Sequence, residues 1–218
     1  MGASNEALLL WLLLLMAMKT VAFDLDGTLI DVSERDYRIY SDILLKLGYD
    51  PITKKEYWPL RRDITDIHHI LSLSGLVSDE DVSFFLKERK ALMEEWSYLC
   101  VDQPFEDVIT TFAELSKRFN LIILTKRYNS EGTERQVTEL GFAKYAELTI
   151  VTESKEEAMS KIDNLVAMVG DTENDIAPAN NIGIKSIAVT TGIRNAEKLS
   201  TFNPSIIVNS LSEVIQFL

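Results

Sequence analysis

The sequence predicts an α/β fold: a doubly wound parallel sheet into which a helical cap domain is inserted. Three observations predict it. Between residues 101 and 218 short, continuously apolar runs alternate with helical patterns, which is how strands buried on both faces of a parallel sheet read. Near the start, the apolar run Thr20-Val21-Ala22-Phe23 ends in a carboxylate, Asp24. Residues 31–100, between that run and the next strand-like one near Leu121, carry only helical periodicity.

Taken in order, the first strand runs into Asp24-Leu25-Asp26-Gly27-Thr28, where Gly27 lets the chain leave the strand at angles a side chain forbids. Tyr37, Tyr40, Ile43, Leu44 and Leu47 recur at helical spacing and stop at Gly48. Ile64, Ile67, Ile70 and Leu71 form a second apolar face, closed by Gly75. Ser78 offers an N-cap with an acid three residues on, before a long stripe from Val82 to Trp96. Pro104 is placed to open a helix with Val108, Ile109, Phe112 and Leu115 inward. Strands follow at Leu121–Leu124, Leu148–Val151, Leu165–Val169, Ser186–Val189 and Ile206–Val208, with a terminal helix from Leu211. The expected division is an apolar extension over 1–18, a core over 19–30 and 101–218, and a cap over 31–100.

Composition narrows the function. Of 218 residues, 46% are hydrophobic and 26% charged, an ordinary globular balance. Lys and Arg number 22 against 34 Asp and Glu, a net charge of −12. That excludes sequence-independent nucleic-acid binding, which needs clustered cations, but it leaves a phosphorylated metabolite open because a metal and a lysine reverse the local field. Cys100 is the only cysteine, so no intrachain disulfide forms and a cytoplasmic setting is the default. Ala7–Met18 is an apolar run too short to span a bilayer, which takes about 20 residues, and it lacks the basic leader of a signal peptide. It reads as an extension outside the fold from a start site assigned too early, with an uncleaved membrane-associating helix as the competing reading.

The candidate chemistry sits at strand ends, where open α/β sheets bind ligands. Asp24 can attack phosphorus and Asp26 can handle protons on a leaving group. Thr125 follows Leu121–Leu124 and can hydrogen-bond a phosphoryl oxygen; alone it is equally a structural cap. Lys126 beside it is a further candidate for substrate binding. Lys155 lies beyond the third core strand, with Lys161 as a competitor and a solvated surface role as the bland alternative. In Gly170-Asp171-Thr172-Glu173-Asn174-Asp175, Asp171 ends a strand and Asp175 sits one helical turn on, so both carboxylates can face one point. Hard Mg²⁺ favours such carboxylates together with water and substrate phosphate.

In this order the residues resemble the phosphatase branch of the haloacid dehalogenase superfamily, from Lys19 to the C-terminus. The motifs are Asp24-x-Asp26-Gly27-Thr28, Thr125, Lys155 and Gly170-Asp171-x-x-x-Asp175. The insert between the first and second motif looks like the family's C1 cap, and Val189-Thr190-Thr191-Gly192-Ile193-Arg194 looks like phosphoglycolate phosphatase and its relatives. Glu156 follows Lys155 where many relatives have Pro, which is a departure. The resemblance implies a Mg²⁺-dependent phosphatase acting on a small phosphorylated metabolite. Asp24 would form an aspartyl-phosphate, and Asp26 would act as acid and then base. Asp24, the Asp26 carbonyl, Asp171 and Asp175 would serve the metal, with Lys155 and Thr125 neutralising phosphoryl charge.

Alternatives differ in what they need. A dehalogenase needs neither Asp26 nor paired downstream acids; a phosphomutase keeps every motif and excludes water. A receiver-like signalling domain lacks the helical insert, and a non-catalytic phosphate-binding module would have lost an aspartate. Within the insert, Arg61 and Arg62 are the candidates for gripping the substrate, with helix solvation as their alternative. The adjacent His68 and His69 point apart on a helix and read as surface residues.

Overall fold

The computed structural model describes residues 18–63, 66–151 and 154–218. The apolar extension before Met18 therefore lies outside the described residues, as does Ile64 of the expected second cap face. Six strands form one parallel sheet in the order β5-β4-β1-β6-β7-β8. They are β1 (Lys19–Phe23), β4 (Phe119–Thr125), β5 (Ala146–Ile150), β6 (Leu165–Gly170), β7 (Lys185–Val189) and β8 (Ile206–Val208). β1 lies inside the sheet, with Val21 beside Leu121 on one flank and Ala167 on the other. Three neighbouring strands thus end side by side, delivering Asp24, Thr125 and Asp171 to one edge.

The pleat sends alternate side chains of β1 to opposite faces. Val21 and Phe23 join a core with Phe112, Phe142, Val189 and Val214, whereas Ala22 joins Leu124, Met159, Met168 and Ala179 on the other face. Helix α6 (Val108–Leu115) and the 3₁₀ helix Leu211–Phe217 cover the first face. Helices α8 (Lys155–Ser160) and α9 (Glu173–Asn181) cover the second. Helix α7 (Ser130–Glu139) follows β4, and α10 (Ala196–Ser200) precedes β8.

Between residues 32 and 102 the described residues form five helices: α1 (Ser33–Leu47), α2 (Lys54–Arg62), α3 (Ile67–Leu73), α4 (Asp79–Leu92) and α5 (Trp96–Leu99). They enclose their own apolar cluster of Ile39, Tyr40, Ile43, Tyr57, Ile70, Leu71 and Phe85. Tyr40 stacks on Tyr57 at 4.3 Å between ring centroids and meets Phe85 edge-on at 6.2 Å. Burying a ring such as Phe85 contributes about 1.5–3 kcal/mol. α1 stops where expected, because Gly48 takes φ 84° and its N–H and that of Tyr49 close on the Leu45 and Leu44 carbonyls.

Three expectations change. Pro104 does not open a helix: it lies in β3 (Gln103–Pro104), antiparallel to β2 (Ile30–Asp31), and α6 begins at Val108. Proline suits both places, since neither the first helical position nor an edge strand asks for its missing N–H. This two-stranded neck is where the chain leaves and re-enters the core. The terminal helix is 3₁₀ rather than α, and the stripe from Val82 to Trp96 is divided between α4 and α5.

Candidate active site

β1 holds Asp24 in place through the Asp24 N–H donated to Val169 O at 2.9 Å, a continuation of the β1–β6 ladder. The chain then turns tightly: Gly27 adopts φ 82° and donates its N–H to Ile30 O, while Leu29 and Ile30 both donate to Leu25 O. Asp24 and Asp26 leave this turn in different company.

Asp24, Asp171 and Asp175 are all buried, and an oxygen of each lies within 4.8 Å of the others. Asp171 directly follows β6. Asp175 is in the first turn of α9, where its Oδ2 accepts from Thr172 N at 3.1 Å and Thr172 Oγ1 at 2.7 Å. Lys155, the first residue of α8, donates Nζ to Asp24 Oδ1 at 2.5 Å and to Asp175 Oδ1 at 2.6 Å. Asp171 accepts from Ile193 N at 2.7 Å and Thr28 Oγ1 at 3.2 Å. Backbone crowds it: a Cβ on Gly27 would lie 2.3 Å, and one on Gly192 2.1 Å, from Asp171 Oδ2.

One ammonium faces three carboxylates here. Burial pushes the Asp24 carboxyl up to about 7, with Lys155 opposing and Asp175 and Asp26 adding to the rise. Burial, then Asp24 and Asp175, raise Asp171 well above the ordinary range. Burial works the other way on Lys155, yet Asp175 and Asp24 outweigh it and hold the ammonium protonated. A cluster of hard oxygen donors with uncompensated negative charge fits a small divalent cation such as Mg²⁺.

The Asp26 carboxylate is not in that cluster. Its side chain keeps 28% exposure but turns to two buried guanidiniums, Arg35 and Arg127. Arg127 is bidentate, Nε to Oδ2 at 2.8 Å and Nη2 to Oδ1 at 2.6 Å, and Arg35 Nη2 donates to Oδ1. The arginines are themselves braced. Arg35 Nη1 donates to Met93 O at 3.0 Å and its Nε lies 3.3 Å from Asp102 Oδ1. Arg127 Nη1 donates to Gln136 Oε1 at 3.0 Å, and Gln136 Nε2 to Asp102 Oδ2 at 2.9 Å. Burial would raise the Asp26 carboxyl, but Arg127 and Arg35 overcome it and hold the group well below its usual range.

The remaining candidates are distributed as follows. Thr125 is buried at the end of β4, while Lys126 beside it is exposed. Lys161 pairs with Glu157 at 3.2 Å on the surface, away from Asp24. Arg61 donates Nε to Asp36 Oδ2 at 3.0 Å, within a network that also holds Arg89 and the Tyr57 hydroxyl. Arg62 reaches the core instead, donating to Thr190 O at 2.6 Å. His68 and His69 are exposed. Arg35 and Arg127 escape the sequence reading, although signals exist. Arg35 precedes Ile39 and Ile43 at four-residue spacing on the buried stripe of α1, and Arg127 lies two residues past a strand-end Thr.

A family model of haloacid dehalogenase-like hydrolases matches residues 21–189, so the chain belongs to that family. It is similar to a phosphoglycolate phosphatase of Vibrio parahaemolyticus, 28% identical over 91% of this chain and 95% of the relative. It is also similar to the pyrophosphatase PpaX of Bacillus mycoides, 26% identical over 93% and 98%. A solved haloacid dehalogenase-like family hydrolase from Streptococcus pneumoniae superposes with a TM-score of 0.72, covering 92% of this chain and 98% of that one at 21% identity. The chain is an enzyme of this family, on its phosphatase side. Among the described residues no helix is long and apolar enough to cross a membrane.

Proposed function

We propose that the chain is a Mg²⁺-dependent phosphatase that hydrolyses a small phosphorylated metabolite through an aspartyl-phosphate on Asp24. The observation carrying this reading is the trio of buried carboxylates, Asp24, Asp171 and Asp175, with one lysine between two of them at the end of β1. When bound there, Mg²⁺ would supply the charge that the trio lacks and would polarise the phosphoryl oxygens.

Asp24 carries the nucleophilic oxygen, fixed by the strand behind it. Lys155 orients Asp24 and offers positive charge to the phosphoryl group, and Thr125 has a hydroxyl to donate. The P–O bond to the leaving group breaks as the bond to Asp24 forms. Arg127 and Arg35 hold Asp26 ionised in this arrangement, so it has no proton to pass and the departing oxygen takes one from water. In the second half Asp26 takes a proton from water, which attacks phosphorus and frees Asp24. Arg127 and Arg35 keep Asp26 ionised, and so able to accept a proton, while lowering its basicity. Residues 31–100 act as a cap over residues 19–30 and 101–218, a lid that excludes water. Phosphoglycolate and pyrophosphate, taken from the relatives' names, head the substrate candidates, in a cytoplasmic setting.

The test is release of inorganic phosphate from a generic aryl phosphate and from a phosphometabolite panel, with Mg²⁺ and with chelator. Release that stops with chelator and returns with Mg²⁺ is expected. Turnover indifferent to chelator, or none on any phosphate ester or anhydride, would overturn the reading.

A further inference from the structure

The C-terminal end of α2 rests on the loop 190–195 after β7, and that loop also walls the carboxylate trio. Arg62 Nη2 donates to Thr190 O at 2.6 Å and to Arg194 O at 3.4 Å. Arg194 Nη1 donates in return to Arg61 O at 3.5 Å, and Asn195 Nδ2 donates to the Asp63 carboxylate. On its inner side the same loop donates Ile193 N to Asp171 Oδ2 at 2.7 Å and Thr191 Oγ1 to Gly27 O at 3.1 Å. Arg194 also grips Glu173 with both arms, donating Nε to Oε2 and Nη2 to Oε1, each at 3.0 Å. Glu173 opens the helix that carries Asp175.

Arg62 is therefore two hydrogen bonds away from Asp171, although it touches no carboxylate of the trio. Asp171 is gripped between the Ile193 N–H, the Thr28 hydroxyl and the glycine backbones at 27 and 192, so a small shift of the loop changes its placement. Loss of an outer partner that holds a metal ligand in position typically lowers metal affinity by about 10- to 100-fold.

We infer that Arg62 is a positioning residue: by docking the helical insert on the 190–195 loop it sets Asp171, and so couples cap docking to divalent-cation binding. This rests on the reading that Asp24, Asp171 and Asp175 hold the cation. Because coupling between two binding equilibria is reciprocal, a bound cation tightens the docking of the insert by the same factor.

The experiment is titration of the metal-free full chain with Mn²⁺, followed by electron paramagnetic resonance without substrate. Arg62→Ala should weaken Mn²⁺ binding by roughly fivefold to tenfold, and Arg62→Lys should recover part of the loss by restoring one donor. Arg61→Ala is the control, since that guanidinium is bound to Asp36 inside the insert; its Mn²⁺ affinity should stay at the wild-type value even if the protein melts earlier. Circular dichroism in chelator establishes that each variant is folded. If Arg62→Ala is not, Asp63→Ala carries the test, with a smaller weakening expected in the same direction. Unchanged Mn²⁺ affinity in the folded variant, or equal weakening in Arg61→Ala, overturns the inference while leaving the cation site intact. A wild-type chain that binds no Mn²⁺ overturns the cation site itself and the inference with it.

Discussion

Asp24 and Asp26 stand two residues apart on one turn, yet their surroundings are opposites. Around Asp24 three buried carboxylates share the single ammonium of Lys155. Around Asp26 two guanidiniums, from Arg35 and Arg127, face Asp26 and Asp102 in equal number. The first half carries a negative excess that the chain itself does not match and that only protons or a cation relieve; the second is balanced within the chain. One turn thus presents Asp24, in a cluster short of positive charge, beside Asp26, whose charge is already matched. The contrast teaches that an active site can combine a half built for binding with a half built for holding, using the same residue type in both.

The comparison breaks most severely at Asp24. Asp24→Asn should lower phosphate release by about 10⁴-fold or more, since the amide fills the same space but does not attack phosphorus; an aryl phosphate assay with Mg²⁺ measures it. Arg127→Ala attacks the balanced half. It leaves Asp26 with one arginine and Gln136 Oε1 without its donor, which should destabilise the fold by roughly 3 kcal/mol in denaturant titration, with or without Mg²⁺.

Asp171→Asn tests the unbalanced half and should have the opposite sign. Removing one of three mutually repelling carboxylates should stabilise the metal-free protein by about 1 kcal/mol while abolishing the stabilisation that Mg²⁺ gives wild type. The same repulsion fixes a pH dependence. The folded Asp24 carboxyl titrates at about 7, above its unfolded value of 3.8, so the folded state binds the extra proton in that window. Stability in chelator should therefore fall as pH rises through that window, and Asp171, raised in the same sense, adds to the fall. Thermal melts at pH 5 and pH 8 in chelator check this, and saturating Mg²⁺ should flatten the difference. Lys126→Ala should have the smallest effect, within about 0.5 kcal/mol, because its side chain is exposed while that of Arg127 is buried.

What was legible in the sequence divides along similar lines. Asp24, Thr125 and Asp171 are strand-end residues, and a strand end is readable because an apolar run stops there. Asp175 follows from helical spacing. Arg35 and Arg127 are harder, because their partners Asp26, Met93, Asp102 and Gln136 come from separate segments that only the folded chain brings together. Arg61 and Arg62 are adjacent on one helix, yet one turns to Asp36 and the other to Thr190, and spacing alone does not tell which arginine faces which element. Pro104 satisfies two local rules at once, and the pairing with Ile30 that decides between them is non-local.

The strand order bears on how the site comes into being. β1 is the first strand of the sheet to be synthesised, but its neighbours are β4 and β6, with Lys19 paired to Phe119 and Val21 to Ala167. The helices between them collect around Tyr40 and Tyr57 through contacts closer in sequence, and such contacts form sooner than distant strand pairings. During translation the insert can fold while β1 still waits with both edges open. Asp24 gains its lysine and its companion carboxylates only when Lys155, Asp171 and Asp175 have left the ribosome, so an unfinished chain has the helical insert without the completed carboxylate cluster.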